Sequence, residues 1–188
     1  CSIPSFRGPQ RSRSINAIIE EVEALQVKEV VLVAQDLAAY GRDQGVGQKL
    51  IIPLIEEIGE KVEWVRLLYL YPSELNTQLI EAISSSAVPY FDLSLQHVSS
   101  PLLRRMKRWG GDEKFRALIS RIRESCPGAV FRSNFIVGYP GETEEDHDQL
   151  IDFVREMQLD WCGFFSFSDE QHTYASGLDG KVDRSLVL

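Results

Sequence analysis

A chain of 188 residues, 44% hydrophobic and 26% charged, is long enough to bury a substantial core and fits one domain. Its net charge of -8 argues against a general affinity for nucleic acid, which needs a basic surface to displace counterions. The absence of any apolar run of about eighteen residues, and a polar, basic start, argue against a membrane span or signal peptide and point to the cytoplasm. Three scattered cysteines, Cys1, Cys126 and Cys162, fit a reducing compartment rather than a disulfide framework.

Residues 1–13, CSIPSFRGPQRSR, read as a basic loop behind a terminal cysteine. From Ser14 to Gln26, Ile15, Ile18, Ile19, Val22 and Leu25 recur at helical spacing behind Ser14 as N-cap, predicting an amphipathic helix. KEVVLVAQD follows, a β-branched run without strict alternation, as in a strand covered on both faces, ending on polar Gln35 and Asp36. LIIPLIEEIGEK predicts a helix, and WVRLLYLYP a second buried strand stopped by Pro72.

The order then repeats. ELNTQLIEAISSS, EKFRALISRIRES and ETEEDHDQLIDFVREMQ predict helices, while YFDLSLQH, AVFRSNFIVG and WCGFFSFS predict strands, giving five strands alternating with five or six helices. Such alternation with short connections predicts an α/β fold, a parallel sheet wrapped by helices. An open doubly wound sheet and a partial (β/α) TIM-type barrel both satisfy it. The barrel is preferred because every strand ends in polar or special residues (AQD, YPSE, LQH, GYPGE, FSFS), which a barrel gathers around one mouth. The β/α repeats span residues 14–168; residues 169–188 are polar and glycine-containing and read as a loop or frayed end.

FIVGYPGETEED is the most informative interior stretch. Gly138, Tyr139, Pro140 and Gly141 make a tight turn between a buried strand and an acidic helix start capped by Thr143. The acidic start argues against phosphate binding, so this is no P-loop. Gln35, Asp36, Gln96 and His97 close strands and could bind polar groups of a small molecule at the mouth, although a lone His97 is more simply a satisfied strand-end residue. Arg132 and Asn134 share one side of their strand. Two basic clusters, Arg7, Arg11 and Arg13, and Arg104, Arg105, Lys107 and Arg108, are solvated faces or sites for an anionic cofactor or partner. No Ser/His/Asp order, zinc-type pair or Walker sequence is present.

Taken in order, CSIPSFRGPQRSR, VVLVAQDLAAYG, LLYLYPSE, DLSLQHVSSPLLRRMKRWGG, FRSNFIVGYPGETEED and GFFSFS resemble the core of the radical S-adenosylmethionine (SAM) methylthiotransferases. AQD, LYLYPSE and LQH with RRMKR most resemble the branch (RimO type) that methylthiolates the β-carbon of an aspartate in a small-subunit ribosomal protein. The resemblance implies a radical SAM transferase working through a 5'-deoxyadenosyl radical, with a [4Fe-4S] cluster and SAM as cofactors. Its expected partners are that ribosomal protein and an electron donor protein, with no membrane and no nucleic acid for this stretch.

The family's cluster motif is CxxxCxxC, and Cys1 with the following SIPSFRG matches its third cysteine, so the resemblance makes Cys1 a metal ligand. The other two ligands are not among the 188 residues. The chain then resembles a truncated core, inactive alone, with the amino-terminal domain and its second cluster, and the carboxy-terminal TRAM-like domain, lying outside it. By the same resemblance Gln35 and Asp36 lie near the SAM amino group or ribose, Gln96 and Arg132 face SAM, and Ile136 and Gly138 flank adenine with Phe165 of the last strand nearby. The alternatives are a tRNA-directed methylthiotransferase and a cluster-less partial barrel that only binds.

Overall fold

The structure, a computed structural model, describes residues 7–44 and 50–187. Among these residues five strands, β1 (Glu29–Leu32), β2 (Trp64–Leu67), β3 (Tyr90–Gln96), β4 (Val130–Val137) and β5 (Trp161–Ser166), alternate with helices α1 (Ile15–Leu25), α2 (Ile51–Gly59), α3 (Thr77–Ser86), α4 (Ser100–Arg105), α5 (Asp112–Ser125) and α6 (Glu144–Met157). A short helix α7 (Arg184–Val187) follows.

All strand pairs are parallel. β1 pairs with β2, and β3, β4 and β5 form a second group. The two groups join beyond the end of β2, where the Leu70 amide donates to the Asp92 carbonyl at 2.8 Å and the Ser94 amide to the Leu70 carbonyl at 3.0 Å. Spatial order therefore follows chain order, β1-β2-β3-β4-β5. A doubly wound sheet reverses its order at a switch point, whereas barrel strands are added one after another. The structure is the expected partial barrel.

Local chemistry explains the boundaries. Ser14 caps α1 by accepting the Ala17 amide, and Gln26, at φ 49°, ends the helix in the left-handed region. α6 opens on a capping box: the Thr143 hydroxyl accepts the Asp146 amide at 3.2 Å while the Asp146 carboxylate accepts the Thr143 amide at 3.0 Å. Short α4, absent from the sequence reading, is started by Ser99, whose hydroxyl accepts the Leu102 amide at 3.3 Å, with Pro101 in its first turn. Six residues are too few to show a helical period.

Helices cover one side of the sheet. Phe91, Phe131 and Phe135 from β3 and β4 lie fully buried against Phe115, Ile119 and Ile122 of α5 and Phe153 of α6. The expectation that β1 and β2 are covered on both faces is corrected: Val31 is 44% and Trp64 54% exposed, while Leu32, Val65 and Leu67 are buried. Val31 stands opposite Arg66 and Trp64 opposite Glu29, so the exposed pair shares one face of the ladder and the apolar run packs only its other face. The expected loop or frayed end also has more structure than its composition suggested. The Gly141 amide donates to the Gly180 carbonyl at 2.7 Å, Arg105 pairs with Asp179, and Lys107 sits 3.6 Å over the Tyr174 ring.

One pH effect follows from the α6 cap. Burial alone would raise the Asp146 carboxyl, but hydrogen bonds from Ser99 and Thr143 outweigh it and hold the carboxyl below its ordinary value of 3.8. A depressed folded value stabilises the fold above the ordinary value, and that contribution is lost as pH falls through the depressed one. In urea titrations, wild type will therefore exceed Asp146→Asn in midpoint at pH 6, and the gap will close on acidification. A constant gap down to pH 2 would refute the assignment.

Candidate functional site

The two-residue alternation of β4 sends Phe131, Ser133 and Phe135 into the core and Arg132, Asn134 and Ile136 to the concave side. Asn134 pairs with Gly163 and Ile136 with Phe165 across the β4–β5 ladder. At the carboxyl ends of β3, β4 and β5 these residues border an open cleft of about 430 Å³, lined by Gln96, Asn134, Ile136, Phe165 and residues 166–168. Its size suits a small ligand.

Each lining residue has a local cause. The β3–β4 register steps from Leu93 opposite Ser133 to Gln96 opposite Phe135, so β3 carries one extra residue at a bulge. Gln96 stands there at φ 69°, and Arg108 donates to the Ser94 carbonyl at 2.8 Å. Burial lowers the Arg108 pKa, and the guanidinium lies over the Tyr71 ring at 5.0 Å. Gly163 keeps the cleft open: a Cβ there would stand 2.5 Å from Asn134 Oδ1. That oxygen is buried without a hydrogen-bond partner among the described residues. Ile136 and Phe165 supply apolar surface beside it. The set offers an aromatic base a platform and an amino or hydroxyl group an acceptor.

The structure brings Gln96, Ile136 and Phe165 together in the cleft, and adds Asn134. Arg132 lies deeper on the same side, with Nη1 3.2 Å from Asp92 Oδ2. Asp92 is only 2% exposed and also accepts the amide of Tyr69, a residue at φ 59°. Gly138 follows β4 at φ 77°, in a turn against which Val187 packs. Gln35 and Asp36 lie in the loop that follows β1, on the far edge of the sheet from β5, and do not line the cleft. Asp36 accepts the Ala39 amide at 3.2 Å, capping a short 3-10 turn.

Sequence reasoning missed Asp92, because a carboxylate inside a strand carries no local signal of a partner on the next strand. It also missed Gly163, whose use lies in the neighbour it leaves room for. The basic cluster of residues 104–108 is largely engaged: Arg105 with Asp179, Lys107 with Tyr174 and Arg108 with Ser94. Cys1 lies outside the described residues. Cys126 and Cys162 are unpaired, and burial raises the Cys162 thiol pKa. Among the described residues no group of three His, Cys, Asp or Glu side chains could hold a metal ion, and no helix is long and apolar enough to cross a membrane.

Curated relatives match along the whole chain. The chain is 48% identical over 195 residues to the ribosomal protein uS12 methylthiotransferase RimO of Cutibacterium acnes, covering 100% of this chain and 40% of that protein. It is 45% identical to the protein of the same name from Aquifex aeolicus, covering 99% and 44%. The chain thus spans about two fifths of the length of these relatives.

Among solved structures, Escherichia coli coproporphyrinogen III oxidase (HemN), described as a radical SAM enzyme, superposes with a TM-score of 0.70 at 14% identity, over 92% of this chain and 42% of that one. The radical SAM methyltransferase TsrM of Kitasatospora setae gives 0.63 at 16% identity, over 82% and 31%. At such identities the likeness is one of fold. The Radical SAM superfamily model matches residues 1–154, and with most of the sequence inside that match and the partial barrel behind it, the chain belongs to the radical SAM superfamily.

Proposed function

We propose that this chain is the SAM-binding core of a cytoplasmic methylthiotransferase that modifies an aspartate of ribosomal protein uS12. The observation that carries the reading is the whole-chain identity of up to 48% to proteins of that name, and the cleft supports it chemically. In this reading Ile136 and Phe165 face the adenine ring and the Asn134 carbonyl oxygen accepts a hydrogen bond from an amino or hydroxyl group. Gln96 offers a second amide, and Gly138 allows the backbone after β4 to come close to the base. Arg132, held by Asp92, and Gln35 and Asp36 of the loop after β1 would meet the outer, polar part of SAM.

The fit differs between the two cofactors. An orphaned acceptor beside apolar surface suits SAM. For the [4Fe-4S] cluster the assigned ligand is Cys1, with the remaining ligands drawn from sequence outside these residues. When bound, cluster and SAM together supply reductive cleavage and radical chemistry. The chain's own part is to hold and orient SAM and keep water from the apolar side of the cleft. An electron donor protein and uS12 are the partners.

The test uses the intact protein that contains this chain, reconstituted anaerobically with iron and sulfide. It should cleave SAM to 5'-deoxyadenosine and add one methylthio group to uS12. Failure to cleave SAM, or modification of tRNA in place of uS12, would overturn the reading.

A further inference from the structure

Two buried side chains that the SAM reading leaves unused join the end of β3 to the turn after β4. His97 has 0% exposure. Its Nδ1 accepts the Ser99 amide at 3.1 Å, which places the proton of the neutral ring on Nε2. Nε2 lies 3.4 Å from Glu142 Oε1, within ion-pair distance but outside hydrogen-bond geometry, and neither atom has a hydrogen-bond partner among the described residues. The second Glu142 oxygen, Oε2, accepts the amides of Gly138 and Tyr139, the latter at 3.1 Å. His147, half exposed, lies 3.6 Å from Oε1 on the solvent side.

A buried carboxylate is stable only when its oxygens are engaged, so its direction is set by whatever faces them. Here the imidazole N–H faces one oxygen and the turn's two backbone N–H groups engage the other. We propose that His97 is a positioning residue that acts through Glu142 to fix the Gly138 and Tyr139 amides, and with them the turn that a nucleoside in the cleft would meet. The ring is itself fixed, because Ser99 also caps α4 and donates its hydroxyl to Asp146. The proposal rests on the SAM reading of the cleft for its ligand, and for the clamp on the buried 3.4 Å approach of His97 to Glu142 together with the hydrogen bonds either side of it.

Two near-isosteric substitutions separate the halves of the imidazole. In His97→Asn the carboxamide reaches the Nδ1 place and keeps the Ser99 contact, but is too short for Glu142. In His97→Gln the terminal amide reaches the Nε2 place and keeps the Glu142 contact. The intact, reconstituted protein is compared with both variants by hydrogen exchange of the peptide covering residues 136–142, without ligand, and by SAM affinity. Taking the imidazole away from the buried carboxylate oxygen it faces sets the expected scale: His97→Asn should speed exchange and weaken SAM binding by about tenfold, while His97→Gln stays within about threefold of wild type. Equal effects of the two variants on exchange would overturn the clamp and leave His97 as packing alone. A clear split in exchange, with no form binding SAM, would uphold the clamp and overturn the SAM reading.

Discussion

Asp92→Ala will lower the stability of the fold by roughly 3 kcal/mol, near the low end of what removing one partner of a buried ion pair costs. The carboxylate is buried and accepts from both the Arg132 guanidinium and the Tyr69 amide. Alanine would leave a cation facing an apolar gap and a backbone N–H without its acceptor. The low end applies because the Arg132 side chain keeps 33% exposure, so water can reach its head when Asp92 is gone. Asp92→Asn should cost less, since its carboxamide oxygen can still accept the Tyr69 amide. Guanidinium unfolding monitored by circular dichroism checks both, with an unchanged denaturant slope expected. A loss no greater than that of an exposed substitution such as Glu81→Ala would show that the carboxylate does not hold the strands.

Gly163→Val will weaken SAM binding by roughly thirtyfold or more while lowering the melting temperature only slightly, since the atom it crowds is the end of the Asn134 side chain, which can turn aside into the cleft. The effect is steric. Even a single added carbon would stand 2.5 Å from Asn134 Oδ1, and the two further methyls enter the space between that oxygen and Phe165. The separation of effects is the informative part: a general defect would reduce stability and binding together. Equilibrium dialysis of SAM with the intact protein, beside thermal melts, measures the two independently. Unchanged affinity would mean that the cleft beside Gly163 is not where SAM lies.

Local periodicity is written in the sequence, and pairing between distant strands is not. Ile15, Ile18, Ile19 and Val22 announce α1 because a helix repeats its buried side every three or four residues, and the observed Ile15–Leu25 matches. Of the polar strand ends expected to share one mouth, those of β3, β4 and β5 border the cleft, where Gln96, Ile136 and Phe165 meet, while Gln35 and Asp36 do not line it. The bulge at the end of β3 was not legible, because YFDLSLQH alternates without a visible break while its partner strand advances by one residue fewer. Asp92 and Arg132 lie 40 residues apart, so their pairing exists only once β3 and β4 are adjacent. His97 reads as a single ordinary histidine until Glu142 arrives from the next turn. What escaped the sequence is thus mostly pairwise and non-local.

The serial strand order also governs how the chain can form. Each strand pairs with the one made just before it, so every new β/α unit emerging from the ribosome finds its template already in place and need not wait for the far end of the polypeptide. Growth by addition to one edge keeps loop closures short and favours rapid, stepwise assembly. At each stage, however, the newest strand is an open edge. In the structure β5 holds that position with Trp161, Phe164 and Phe165 exposed, and it is the place where a further strand would add or an unwanted neighbour would stick.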